Sequence, residues 1–258
     1  SGLLRITHDG KSHPYPPTWK GGPLPIGYYM TAAEDPRGDL WFTNIKDSRI
    51  LKWSVVTDSF RVIDPGKDSA LAHLVLGGVT DLVMDAAGDP WVSFEGGGIV
   101  HLSNEGHTIH RYGVQDGLPS NFISVLTFDG KGRLWGGTVK GLVCLDPADG
   151  QVHVFNRSKG LPDERFEDKV SLFDPGSGNM WFGTPTRLIR FDPDKLMSIF
   201  QDQPKVLIDE VHVNGIPINE LSLVQTSFKP DENNITIQFV APDQNDGSFI
   251  EYSYLLEG

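Results

Sequence analysis

The 258-residue chain is long enough for one large or two modest domains, and a hydrophobic fraction of 38% excludes a disordered or fibrous protein. Its 29 glycines and 18 prolines are spread along the whole length, as many short strands and turns require. A net charge of −12 without any Lys/Arg cluster argues against direct contact with nucleic acid or an anionic membrane surface, and no apolar run nears the roughly 18–20 residues that cross a bilayer.

The opening SGLLRITHDGK lacks the basic and then apolar stretches of a signal peptide. Within it, residues 2–6 (GLLRI) match the third strand of a unit repeated farther on, so the chain is expected to begin inside such a unit. A Pro/Gly-rich connection follows, HPYPPTWKGGPLPIGYY, which gathers Tyr15, Trp19, Tyr28 and Tyr29 outside the repeat. An aromatic loop of this kind is a candidate binding surface, and Trp19, Tyr28 and Tyr29 are its candidate ligand contacts.

The repeat itself is marked by Trp41, Trp91, Trp135 and Trp181, which are 50, 44 and 46 residues apart. That period suits blades of four short strands. The settings read EDPRGDLWFTN, MDAAGDPWVSF, FDGKGRLWGGT and FDPGSGNMWFGT, with Asp six residues before Trp in the first three and one extra turn residue in the fourth. Asp accepts a hydrogen bond from backbone two residues on, Gly supplies positive φ, and the apolar run after them is a strand.

In the third unit the expected strands are 123–128, 134–138, 142–145 and 152–155, and the other blades run approximately over 28–63, 79–112 and 170–200. The fold class is therefore all-β, with about four and a half propeller blades visible over 1–203. The segment 64–78 fits no strand pattern and reads as an irregular connection. Cys144, the single cysteine, lies in an apolar strand as a small buried side chain, and it leaves no partner for an internal disulfide.

The tryptophan pattern stops after Phe200. PKVLIDEVHVNGIPI, NNITIQFVAPD and FIEYSYLLEG read instead as longer alternating strands, in which the alternation of Val206, Ile208, Val211 and Val213, then Ile235, Ile237 and Phe239, suggests half-buried strands of a sandwich. A second domain, the first part of an immunoglobulin-like sandwich, is expected over 204–258, shorter than the about 100 residues of a complete one.

The phrase GLPSN at 117–121 with the ISVLTFDGKGRLWGGTVKGLVCL that follows it resembles the two-component-regulator propeller repeat of bacterial sensor kinases. A second copy begins GLPDERF at 160–166. The C-terminal tract with Tyr252 and Tyr254 resembles the opening of the three-tyrosine domain that follows such propellers. The resemblance implies a periplasmic sensor ectodomain of a histidine kinase, hybrid or otherwise. In such a protein the propeller senses a small-molecule or oligosaccharide ligand, the sandwich passes the signal on, and the parent protein forms a homodimer. Contact with the membrane would come only through parts outside this chain.

The GLP phrases fall between the last strand of one blade and the first of the next, which brings Asn121, Phe122, Arg165 and Phe166 to one rim as further candidate contacts. Asp35, Asp85, Asp129 and Asp174 lack the spacing of a calcium loop and read as turn residues. The eight histidines form no HExxH pair, and no nucleophile elbow or phosphate loop is present. No catalytic residue, metal or cofactor is expected. Two alternatives remain: a streptogramin-lyase-like propeller, suggested by GDLWFTN and needing a His base with a metal, and a noncatalytic protein-binding scaffold.

Overall fold

The computed structural model describes residues 3–15, 18–19, 22–23, 29–46, 48–69, 71, 77–199, 207–218 and 234–240. It divides into two compact units, Ser1–Pro193 and Asp194–Gly258.

The first unit is a series of antiparallel meanders. A half-blade pairs β1 (Leu3–Ile6) with β2 (Ser12–Tyr15), and β3 (Thr18–Trp19) pairs antiparallel with β4 (Gly22–Pro23). Blade 1 contains β5 (Tyr29–Glu34), β6 (Leu40–Asn44), β7 (Ile50–Ser54) and β8 (Ser59–Ile63). Blade 2 contains β9 (Val79–Met84), β10 (Pro90–Phe94), β11 (Gly98–Leu102) and β12 (Thr108–Tyr112), and blade 3 contains β13 (Ile123–Phe128), β14 (Leu134–Thr138), β15 (Gly141–Leu145) and β16 (Val152–Phe155). Among the described residues blade 4 has three strands, β17 (Ser171–Asp174), β18 (Asn179–Gly183) and β19 (Leu188–Phe191). A short helix, α1 (Pro193–Ser198), stands where the repeat leads one to expect its outer strand. Pro193 sets φ for a first helical turn and cannot donate to a strand ladder, which accounts for the difference.

Blades 1, 2 and 3 share one hairpin device between their first two strands. Asp35, Asp85 and Asp129 each accept two backbone amides, two and four residues on, at 2.8–3.1 Å. The other carboxylate oxygen accepts the indole N–H of the tryptophan six residues on, at 3.2, 3.3 and 2.9 Å. The six-residue Asp–Trp spacing is thus a clamp that orients the ring as well as a turn.

Trp41, Trp91 and Trp135 lie on the face that meets the following blade. Trp41 packs with Ile50 against Val79 and Leu82 of β9. Trp91 and Tyr112 pack against Leu126, Leu134 and Val143 of blade 3, and Trp135 reaches Phe191 of blade 4 at 5.1 Å. On the opposite face of blade 1, Tyr15 of β2 meets Phe60 edge-on at 5.1 Å, while its hydroxyl and the Trp53 indole both donate to Asp58. Trp53, off the tryptophan register, therefore seats the half-blade.

The second unit contributes one antiparallel sheet among the described residues, β20 (Leu207–Val213) flanked by β21 (Ile216–Ile218) and β22 (Ile235–Val240). Val211 and Val213 are buried, whereas Ile208, Ile235, Ile237 and Phe239 are exposed. Val206, Tyr252 and Tyr254 lie outside the described residues, and the facing sheet of a sandwich is not among them.

Candidate functional site

The two GLP crossovers are built alike. After β12 and after β16 the chain makes one 3-10 turn, closed by Gly117 (φ 98°) and Gly160 (φ 82°) in the left-handed region. Leu118 and Leu161 are buried, and their amides donate back to Gly113 and Asn156. Asn121 and Glu164 then do the same work: each accepts a backbone amide through its side chain, from Val114 at 3.0 Å and Arg157 at 2.9 Å. Each also accepts one through its carbonyl, from Gly98 at 3.0 Å and Gly141 at 2.7 Å. Those two glycines are required. Their φ values are 80° and 125°, and a Cβ would stand 2.3 and 2.4 Å from the carbonyls of Tyr112 and Phe155.

The crossovers settle where the sequence-predicted residues lie. Asn121 is half-buried and fixes the turn, while Phe122 is 51% exposed beside Gly96. Arg165 holds the corresponding exposed position in the second copy. Phe166 corresponds to Ile123 and is buried, edge-on to Phe182 at 5.8 Å and pressed over Gly137, so it belongs to the inter-blade packing and not to the rim surface. Trp19 sits in β3 opposite Gly22, and Tyr29 opens β5 opposite Asn44. Tyr28 lies outside the described residues. The crossovers thus offer Phe122 and Arg165 to solvent on two equivalent turns.

Three polar groups were not legible from the repeat. At the inner strands, buried Asp81 of β9 accepts the Leu126 amide of β13 at 2.8 Å and its own neighbour Leu82 at 3.0 Å. Thr31 of β5 adds a long bond at 3.4 Å, and the Lys169 ammonium donates to that Thr31 hydroxyl. Burial pushes the Asp81 carboxyl up and the Lys169 ammonium down, each opposed by hydrogen bonds or by the other's charge. The arrangement satisfies an otherwise bare strand edge and ties blades 1, 2, 3 and the start of blade 4 together.

The second group is Lys52 of β7, buried with its Nζ 3.3 Å from both Asp35 and Asp39 and 2.6 Å from Asn104 Oδ1. The third is Asp85, Asp89 and His101, half-buried residues whose ligand atoms lie within 4.8 Å of one another; among the described residues it is the group that could hold a metal. Cys144 is buried, and desolvation pushes its thiol up to about 12, which removes it as a nucleophile. Two open grooves lie at blade boundaries: one of about 480 Å³ lined by His110, Tyr112, Asp116 and Asp149, and one of about 260 Å³ lined by Arg37, Arg61 and Glu105.

The two-component regulator propeller family matches residues 117–140, which are the first GLP crossover, β13 and β14. The fold is that of β-propeller blades, one of which matches that family's model over these residues. The chain is 24% identical over 166 residues to histidine kinase P4 of Formosa agariphila, a match covering 60% of this chain and 12% of the kinase. It therefore corresponds to about an eighth of that relative's length. Among solved structures, the extracellular domain of a hybrid two-component system from B. thetaiotaomicron aligns with a TM-score of 0.61 at 22% identity, over 74% of this chain and 27% of that one. Virginiamycin B lyase from Staphylococcus aureus aligns with a TM-score of 0.53 at 15% identity, over 74% and 62%. Both likenesses are of fold. No helix among the described residues is long and apolar enough to cross a membrane.

Proposed function

We propose that this chain is a noncatalytic, ligand-sensing segment of a two-component sensor histidine kinase, exposed to the periplasm. The observation that carries the reading is the regulator-propeller match at 117–140, which falls on the crossover whose hydrogen bonds recur at 156–166. The histidine kinase relative and the extracellular hybrid-system neighbour support the same reading. In it, a small molecule or oligosaccharide docks at the crossover rim, where Phe122 offers a ring face and Arg165 a donor fork. The β20–β22 sheet belongs to an immunoglobulin-like domain that relays the signal toward the membrane of a dimeric parent. A ligand does this by preferring one arrangement of that relay over another.

Glycan-array and thermal-shift screening of the 258-residue chain tests the proposal. A saturable shift with one ligand class, weakened about tenfold or more in Phe122→Ala and Arg165→Ala, is expected. Turnover of the bound ligand, or affinity unchanged in both variants, overturns it.

A further inference from the structure

The position opposite the blade tryptophan on the third strand carries a cation in two blades. Lys52 faces Trp41 in blade 1, with its Nζ 4.6 Å above the ring and in contact with both Asp35 and Asp39. Arg190 faces Trp181 in blade 4, with its guanidinium 5.7 Å above the ring. Blade 3 places Cys144 there, and its Asp129 is neutralised instead by Arg133, whose Nε lies 2.6 Å from Oδ2.

Blade 2 keeps the acidic half of this device and changes the other half. Asp85 and Asp89 stand where blade 1 has Asp35 and Asp39. Asp85 Oδ1 accepts the Ala87 and Asp89 amides, as Asp35 Oδ1 accepts those of Arg37 and Asp39. Asp89 Oδ1 accepts the Asn104 amide at 2.7 Å, as Asp39 Oδ1 accepts that of Val55 at 3.0 Å. The residue facing Trp91, however, is His101, stacked on the indole at 4.2 Å and 14°. Its Nε2 lies 3.6 Å from Asp85 Oδ2, is itself buried and has no hydrogen-bond partner.

We propose that Asp85, Asp89 and His101 bind a divalent transition-metal ion, which fills in blade 2 the place that the Lys52 ammonium fills in blade 1. Two independent observations support it: the charge that the equivalent cradle holds in blade 1, and the buried nitrogen aimed without a partner toward two carboxylates. One imidazole and two carboxylates suit zinc and its neighbours, whereas calcium takes six to eight oxygens. Bonds of about 2.0–2.2 Å put tetrahedral ligand atoms about 3.3–3.6 Å apart, so the His101–Asp85 separation already fits, and small side-chain rotations close the rest. Burial holds the imidazole below its usual range, although Asp85 and Asp89 pull it up, and the neutral ring is the form that ligates. All three residues are half-buried, which leaves solvent a path to supply the remaining ligand.

The test is calorimetric titration of the metal-stripped chain with Zn²⁺ at pH 7, with Co²⁺ as the spectroscopic probe. One ion per chain is expected, with a Co²⁺ visible band typical of nitrogen and oxygen ligands and a higher Tm for the loaded protein. His101→Lys rebuilds the blade 1 arrangement; it should keep the circular dichroism of the parent and weaken Zn²⁺ at least about tenfold, as should Asp89→Asn. Should His101→Lys fail to fold, Asp89→Asn together with the Co²⁺ spectrum decides the matter. Absence of binding at millimolar Zn²⁺ overturns the proposal. So does affinity unchanged in the variants, which marks adventitious surface binding, or His101 ring resonances in the NMR spectrum that do not move at stoichiometric Zn²⁺.

Discussion

Blades 3 and 4 start from nearly the same phrase and end differently. In blade 3, Trp135 pairs across the ladder with Thr127 and Cys144; in blade 4, Trp181 holds the corresponding place between Leu172 and Arg190. The extra residue of FDPGSGNMW is absorbed in the turn, so strand register is kept. Yet Trp135 is fully buried and clamped by Asp129, whereas Trp181 is half-buried on a face where Leu172 and Leu188 are each 59% exposed. Asp174 accepts instead the Gly176 amide and the Ser177 hydroxyl. The difference shows that ladder position is a property of one blade and burial a property of two, because only Trp135 has the Phe191 ring of a further blade against it.

Substituting the two tryptophans breaks this comparison most directly. Trp135→Ala should cost about 3–5 kcal/mol in urea unfolding, as large-to-small changes in a closed core do, while Trp181→Ala should cost about 1 kcal/mol. Equal losses would mean that Trp181 is as enclosed as Trp135. The clamps differ in the same direction. The Asp129 carboxylate is 1% exposed and accepts four hydrogen bonds, including the Trp135 indole and Arg133, so Asp129→Asn should cost about 2–3 kcal/mol. Asp174→Asn, at an exposed turn, should stay within about 0.5 kcal/mol.

The blade 1 clamp sharpens the contrast through pH. Burial alone would raise the Asp35 carboxyl, but hydrogen bonds from Asn104, Trp41 and the Arg37 and Asp39 amides outweigh it and hold the group at about 2. A carboxyl depressed in the folded state stabilises above its unfolded pKa, near 3.8, and loses that contribution as pH falls toward 2. Acid titration of Tm should therefore steepen between about pH 4 and pH 2 by the equivalent of about 2 kcal/mol. In Asp35→Asn that added slope should be absent.

What could be read from residues alone follows the same division. The strands of blade 3 were legible to within one residue, since Asp, Gly and Trp spacing encodes a hairpin locally. The rim position of the GLP phrases was legible as well, because it depends only on chain order. Phe166 was not: it sits beside exposed Arg165 in sequence, and its burial is decided by Gly137 and Phe182, residues of two different blades. Lys52, Asn104 and Asp81 carry no local signal for the same reason. Each bonds across a blade boundary to a residue 45 to 69 positions away, and no period of the repeat announces which blade will supply the partner.

A deletion separates the effect of the turn from that of ring burial. Removal of Ser177 would bring Trp181 to six residues from Asp174, the spacing of the three clamped blades, while leaving its exposed face as it is. If spacing governs the clamp, the Asp174 carboxylate should turn from the Ser177 hydroxyl to the indole N–H. That exchange of a solvated bond for a partly sheltered one should gain about 0.5–1 kcal/mol. It should also slow hydrogen exchange at the Trp181 indole, read by NMR. The ring would remain half-buried, because nothing has been added over Leu172 and Leu188. A deletion variant that instead loses stability would show that the four-residue turn, with Gly178 at φ 70° and its amide on the Asp174 carbonyl at 2.8 Å, is the arrangement blade 4 requires.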